Sequence, residues 1–356
     1  MKRRKIIFTG GGSAGHVTLN LNLIPIFQKN NWKCVYIGSE KGIERELVTK
    51  ISGVRYHAIK TGKLRRYFSF RNFIDMFNIP IGIIQAIRWI YIEKPEIVFS
   101  KGGFVSFPVV IAAYLNRCKV YMHESDVTPG LANKMSLPFV DKFFTTFSDT
   151  QRFVKNKNKI HNVGPIISDR IEGGDKARGM GFCHFLDVKP IVMFIGGSLG
   201  ATSINEAVWN NLDNLLEKYQ IIHICGKGHK KDIKRRGYAQ FEFVDKEFKD
   251  LLAIADIVIS RSGSNAIFEL LSLKKPMLLI PLPSTSSRGE QTQNAQSFHS
   301  HGFAEFIYDE DISDSDIFLS AIDNLYKNQD KYISNMEEEN LQQTSDTDMY
   351  EIIANG

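Results

Sequence analysis

The residues best suited to chemistry lie in short glycine-rich or polar segments, each closing an apolar run. GGGSAGH at 10–16 satisfies GxGxxG at Gly10, Gly12 and Gly15, and glycines let backbone N–H groups approach a phosphate at a helix N-terminus. A similar turn recurs as GGSLGA at 196–201, followed by RSGSNAIFE at 261–269. In that second segment Ser264 or Asn265 can cap a helix whose leading N–H groups favour a diphosphate. Glu269, in its early turns, can accept hydrogen bonds from both hydroxyls of a ribose. RGEQTQNA at 288–295 supplies amides suited to neutral sugar hydroxyls. KGGFVSFP at 101–108 and HESDVTPGLAN at 123–133 complete the set. His16, His123, Glu124 and Asp126 are the side chains able to take a proton from a substrate hydroxyl.

Each feature has a plainer reading. Glu269 can be a solvated helix-face carboxylate, RGEQTQNA a polar helix start, and each ionisable residue a hydrogen-bond partner that fixes a loop. The first glycine loop alone also fits a dinucleotide site, with Glu40 near the end of the second strand placed for a ribose. That alternative is a nicotinamide-dependent oxidoreductase. The Lys and Ser/Thr of a P-loop are missing, which removes an ATPase of that type.

These segments need a scaffold that gathers them. Strand-like runs recur at 5–9, 34–39, 54–59, 96–100, 119–124 and 142–147, and again at 191–197, 219–226, 241–245, 256–262, 276–282 and 304–308. Helical stretches separate most of them, the alternation that builds parallel βαβ units. The fold expected is α/β, two Rossmann-like doubly wound parallel sheets in tandem. The polar, glycine-rich stretch at 169–181 suits a connection between them. Ligands of such sheets sit beyond the carboxyl ends of the strands, so two domains facing each other are expected to enclose a cleft.

Composition narrows the field. The 356 residues suffice for two domains, 43% hydrophobic and 24% charged residues are ordinary for a globular chain, and a net charge of +6 demands no nucleic-acid partner. The four cysteines form no CxxC pair and suit a reducing compartment. MKRRK is followed by too short an apolar run for an export signal, and the stretch from Ile79 to Ile87 is too short to span a bilayer. Lys63, Arg65, Arg66 and Arg71 lie among Tyr67, Phe68, Phe70 and Phe73, a basic and aromatic mix that reads either as a membrane contact or as the solvated turn of a buried amphipathic helix. The triplets Asp314-Ser315-Asp316 and Asp346-Thr347-Asp348 read as helix caps rather than metal ligands, and no zinc spacing occurs. No metal or cofactor is expected.

Together GGGSAGH, KGGFVSFP, HESDVTPGLAN, GGSLGA, RSGSNAIFE and GEQTQNA resemble the bacterial MurG family over nearly the whole chain. These are peripheral GT-B transferases of peptidoglycan synthesis. The resemblance implies UDP-N-acetylglucosamine as donor, undecaprenyl-diphospho-N-acetylmuramoyl-pentapeptide (lipid I) as acceptor, and inverting transfer to the acceptor C4 hydroxyl to give lipid II at the cytoplasmic face of the membrane. It implies an amino-terminal acceptor domain over 1–164, a donor domain over 165–336, and a final segment 337–356 returning to the first domain. Donor contacts are implied at Ser13, Ala14, Gly15, Ser168, Gly197, Ser198, Val244, Ser264, Asn265, Ala266, Glu269, Glu290 and Gln291, with Glu269 on the ribose and the Val244 backbone at the uracil. Acceptor contacts are implied at Gly103, Glu124, Asp126 and Asn133. His16 and then Asp126 are the choices for the base.

Three positions depart from the family pattern: Leu199 replaces the Gln of GGSQGA, Ser125 and Asp126 replace the QN of HEQN, and Ser168 stands where many members carry Arg. Those departures motivate a third reading, a non-catalytic nucleotide-sugar-binding protein.

Overall fold

A computed structural model describes residues 3–62, 70–167, 171–186, 188–197, 200–283, 289–339 and 343–356. The first half forms β1 (Lys5–Thr9), β2 (Lys33–Ser39), β3 (Arg55–Ile59), β4 (Ile97–Ser100), β5 (Lys119–Glu124), β6 (Lys142–Thr145) and β7 (Ile160–Asn162), the first six on the apolar runs. All pair in parallel, in the order β3-β2-β1-β4-β5-β6-β7. The second half repeats the plan with β8 (Ile191–Ile195), β9 (Gln220–Ile224), β10 (Tyr238–Phe241), β11 (Ile257–Ser260), β12 (Met277–Leu279) and β13 (Ala304–Phe306), again parallel, in the order β10-β9-β8-β11-β12-β13. In both sheets the order reverses beside the first strand, between β1 and β4 and between β8 and β11. Loops that leave such a switch point diverge and open a crevice for a ligand.

Parallel strands are covered on both faces, which is why they read as unbroken apolar runs rather than as alternation. Ile6 and Phe8 of β1 pack against helices Thr18–Lys29 and Asp346–Asn355, while Ile7, between them, faces helices Phe70–Glu93 and Ser106–Leu115.

The chain divides into two compact units, Met1–Ile166 with Gln342–Gly356, and Ile167–Leu341. The return to the first unit starts later than residue 337. Glu337 and Glu338 close helix Gln329–Glu338, and Asn335 of that helix donates to the Gly302 carbonyl at 2.9 Å within the second unit. Beyond it, Thr344 bridges to Ile166 and Tyr350 sets its ring 4.7 Å from that of Phe27.

Two local expectations need correction, and one strand goes unannounced in the sequence. The stretch at 169–181 is no slack connection: helix Lys176–Cys183 occupies its end, and a Cβ on Gly179 would lie 2.4 Å from the Asp250 carbonyl oxygen. Glycine there buys close helix packing. Residues 242–245 are not strand, because β10 ends at Phe241 and the Glu242 carboxylate turns back to accept the Gly228 N–H at 2.9 Å. Strand β7 carries no apolar signal, since His161 and Asn162 are exposed. Asp314 caps helix Ser315–Lys327, and Ser345 and Asp348 form a capping box on helix Asp346–Asn355. Among the described residues no cluster of His, Cys, Asp and Glu could hold a metal ion.

Candidate functional site

In the amino-terminal unit the loops after β1, β4 and β5 meet. Thr9 and Ser100, the last residues of β1 and β4, are in register, so both loops leave the sheet at one level. Gly12 and Gly103 hold positive φ, +86 and +82, which glycine adopts without a Cβ penalty. A Cβ on Gly103 would lie 2.2 Å from the Gly11 carbonyl oxygen and 3.1 Å from His16 Nδ1. His16 is half-buried, and its Nδ1 pairs with Ser13 Oγ at 2.9 Å. The structure thus brings Ser13, His16 and Gly103 together. The side chain of Ala14 lies outside the described residues, and Gly15 is exposed.

The β5 loop is organised from inside. Glu124 Oε1 accepts the N–H groups of Ser125 and Asp126 at 3.0 and 3.1 Å, and Oε2 accepts Gly130 N–H at 3.0 Å and Asn133 Nδ2 at 2.8 Å. Glu124 and Asn133 are both buried. They shape the loop rather than face a ligand, and a carboxylate already accepting from four internal donors has no lone pair left for a substrate proton. His123 is likewise excluded. The buried ammonium of Lys101 lies 2.9 Å from His123 Nδ1 and donates to Ser125 Oγ at 2.7 Å. An ammonium only donates, so Nδ1 accepts and Nε2 carries the hydrogen. Burial, then the Lys101 charge, pushes the His123 pKa well below its usual value. Lys101 itself is lowered by burial to about 8 against the opposing pull of Glu124 and Asp126. Asp126 is half-buried and remains, with His16, at the loop surface.

In the carboxyl-terminal unit a cavity of about 290 Å³ opens beyond β8, β9 and β11. Its wall brings together Gly197, Val244, Asn265, Ala266 and Glu269, with the exposed ring of Phe243 beside them. Helix Ser264–Ser272 begins at the cavity, but Gly263 is its N-cap, so neither Ser264 nor Asn265 caps it. Ser264, Glu290 and Gln291 are not on the cavity wall. Gln291 Oε1 accepts Leu282 N–H at 3.1 Å, and its carbonyl accepts Ser262 Oγ at 2.8 Å. Those bonds tie helix Glu290–Ser300 to the turn after β11 and to the segment after β12. Ser168 and Ser198 lie outside the described residues, as do Lys63, Arg65, Arg66 and Phe68 and the side chains of Phe70 and Arg71.

Two supports rest on contacts that no motif announces. Arg261 donates to the carbonyls of Ile280 and Pro281 at 3.1 and 3.3 Å and to Ser203 Oγ at 2.9 Å, and pairs with Asp309. This fork links the ends of β11 and β12 to helix Thr202–Asn210. Glu44, not Glu40, is the acid at the first glycine loop: Gly12 N–H donates to Glu44 at 3.2 Å, while Glu40 is exposed. A dinucleotide phosphate would need that amide, so the oxidoreductase alternative loses its site. A cavity walled by a helix start, a carboxylate in the helix's early turns and a loop backbone can hold a nucleoside diphosphate. The loops of the other unit present hydroxyl and proton-accepting groups.

The family 28 glycosyltransferase N-terminal domain matches residues 6–145, and the C-terminal domain of the same family matches 191–350. A protein of Geobacillus kaustophilus (strain HTA426) named UDP-N-acetylglucosamine–N-acetylmuramyl-(pentapeptide) pyrophosphoryl-undecaprenol N-acetylglucosamine transferase is 51% identical over 337 residues, 94% of either chain. A protein of the same name from Clostridium botulinum (strain Langeland) is 49% identical over 335 residues, again 94% of either chain. Among solved structures, Acinetobacter baumannii MurG superposes with a TM-score of 0.77 at 18% identity, covering 99% of this chain and 100% of that one. A glycosyltransferase of kitacinnamycin follows at 0.73 and 13%, covering 100% and 99%. At such identities the structures share the two-sheet fold.

Proposed function

The chain belongs to the MurG-type transferases of glycosyltransferase family 28, and from that premise we propose that it moves N-acetylglucosamine from UDP-N-acetylglucosamine to the C4 hydroxyl of the muramoyl sugar of lipid I, making lipid II for peptidoglycan. The likeness of about half of all residues to relatives named for this reaction, over 94% of both chains, carries the conclusion. In the donor unit, Glu269 accepts the ribose hydroxyls, the Val244 backbone meets the uracil, and the amides opening helix Ser264–Ser272 take the diphosphate. The same reading gives Ser168, Ser198, Ser264, Glu290 and Gln291 to the donor, with Ser264, Glu290 and Gln291 standing off the cavity wall. In the other unit, Gly103 frames the acceptor, and the Ser13–Gly15 turn faces the diphosphate and the acceptor.

The chemistry is a single displacement. The acceptor C4 oxygen bonds to the anomeric carbon as the bond from that carbon to the UDP oxygen breaks, with inversion. UDP leaves with the electron pair, and the hydroxyl proton passes to an enzyme base. His16, oriented through Ser13, is the first choice for that base and Asp126 the second.

The acceptor is lipid-borne, and the chain needs a membrane face. No helix of the described residues is long and apolar enough to cross a bilayer. Helix Phe70–Glu93 instead exposes Phe77 (64%), Ile81 (40%), Ile84 (69%) and Tyr91 (69%), spaced to form one stripe, with Arg88 within it and Lys94 just beyond. Apolar insertion beside basic side chains suits an anionic leaflet, and we assign this stripe, at the cytoplasmic face of the cell membrane, as the peripheral contact.

Turnover of lipid I with UDP-N-acetylglucosamine tests the reaction. Glu269→Ala is expected to weaken UDP binding about 100-fold, the loss of two hydrogen bonds to a charged group. A chain that binds UDP yet forms no lipid II would mark a nucleotide-sugar-binding protein. Vesicle sedimentation of Phe77→Glu with Ile84→Glu tests the stripe, and unchanged binding would refute it.

A further inference from the structure

The amino-terminal glycine loop already holds an anion, and the chain itself supplies it. Glu44, in helix Ile43–Val48, has 0% exposure. Its Oε2 accepts Gly12 N–H at 3.2 Å, and its Oε1 accepts Ser39 N–H at 3.1 Å and the Ser39 hydroxyl. Three glycines make room for it: a Cβ on Gly11 would lie 2.5 Å from Glu44 Cδ, one on Gly42 2.3 Å from Oε1, and one on Gly38 3.1 Å from Cγ. The loop's opposite side is pressed on the β4 loop. A Cβ on Gly12 would come within 2.4 Å of the Phe104 ring, and Gly11 N–H donates to the Gly102 carbonyl at 3.4 Å. The loop is therefore clamped between a carboxylate and the segment that also touches His16. A buried carboxylate is costly unless its donors are in place, and here two backbone amides and a hydroxyl supply them. An apolar side chain of the same volume would leave those donors unpaired, so the carboxylate and the loop fix one another.

We propose that Glu44 is a positioning residue for the transfer: its carboxylate sets the Gly10–His16 loop, and through it Ser13 and His16, where other glycine loops depend on a ligand phosphate for their order. The role rests on the reaction proposed above.

Glu44→Gln keeps the volume and removes the charge, whereas Glu44→Asp keeps the charge and sacrifices reach. If charge sets the loop, kcat falls 10- to 100-fold in Glu44→Gln, the loss of a charge-assisted hydrogen bond, and less in Glu44→Asp. The KM for UDP-N-acetylglucosamine and the calorimetric affinity for UDP stay within twofold of wild type. Packing alone would make Gln the better replacement, and that order, or an unchanged kcat in Glu44→Gln, overturns the proposal. Equal losses of kcat and UDP affinity would show general damage and overturn it too. Hydrogen exchange on the unaltered chain without substrate supplies the second measurement: Gly12 N–H is expected to be protected, and exchange at the rate of an open amide refutes the clamp. If the unaltered chain forms no lipid II, the reaction fails while the exchange result still decides the clamp.

Discussion

Replacing Lys101 by Met exposes the energetics of the β5 loop. At pH 7 the lysine is charged with only 3% exposure, and burial lowers its pKa from the 10.5 of an ordinary lysine to about 8. At about 1.4 kcal/mol for each tenfold change in proton affinity, that difference corresponds to about 3 kcal/mol of native-state cost carried by the charged form. The sign follows from proton counting. Between pH 8 and 10.5 the unfolded chain holds the proton and the folded chain has released it, so stability contributed at this position rises with pH. Below pH 8 both states are protonated and the cost is fully present. Lys101→Met removes the titration, and His123, already neutral, adds no pH dependence over this range. The stability of wild type relative to the variant should therefore rise by about 3 kcal/mol between pH 7 and 10, other titrations cancelling in the difference. Urea denaturation followed by tryptophan fluorescence measures it. Of the three tryptophans, Trp32 and Trp89 lie in the first unit and Trp209 in the second, so a Trp209→Phe background reports the first unit alone. A difference that stays flat with pH would show that Lys101 is not titrating in a dry site.

Other outcomes are as definite. His16→Ala and Asp126→Asn should separate the bases: loss of the true one lowers kcat by about 10²- to 10⁴-fold with the donor KM unchanged, as general-base catalysis requires, and equal small effects would exclude both. Gly103→Ala, which puts a Cβ 2.2 Å from the Gly11 carbonyl oxygen at φ +82, should cost about 1–3 kcal/mol in thermal denaturation; an unchanged Tm would mean the loops do not touch. Burial would raise the Glu93 pKa, but Lys5, His57 and Arg55 together hold it at about 2. Its stabilisation is full above pH 4.5 and lost as pH falls towards 2, so Glu93→Gln should cost up to about 3 kcal/mol near pH 6 and almost nothing near pH 2 in acid titrations of stability.

The sequence announces the sheets well because parallel strands are apolar on both faces, and β1, β5 and β8 appear in it nearly residue for residue. It announces less where tertiary contacts decide. Residues 242–245 look like strand, but β10 ends at Phe241, and the misread segment is one that lines the cavity of the second unit. The glycine turns are visible because their backbone conformation demands a local residue pattern, and Glu269 because it follows one of them at short spacing. Glu44 is hidden: its partner Gly12 is 32 positions away, and nothing in IEREL distinguishes it from a solvated helix acid. Lys101 stands in a visible motif, yet its burial beside His123 depends on two neighbouring strands. Arg261 is similar, its Asp309 partner arriving from beyond β13.

The closing helix Asp346–Asn355 has a consequence for biosynthesis. Met349 and Ile353 pack into the core on the face of the first sheet that carries Ile6 and Phe8, beside Phe27 of helix Thr18–Lys29, yet they are translated only after the whole of Ile167–Leu341. The first unit therefore emerges from the ribosome with a greasy flank uncovered and must wait for nearly half the polypeptide before it is sealed. A nascent chain stalled before residue 346 should recruit holding chaperones that the finished one does not.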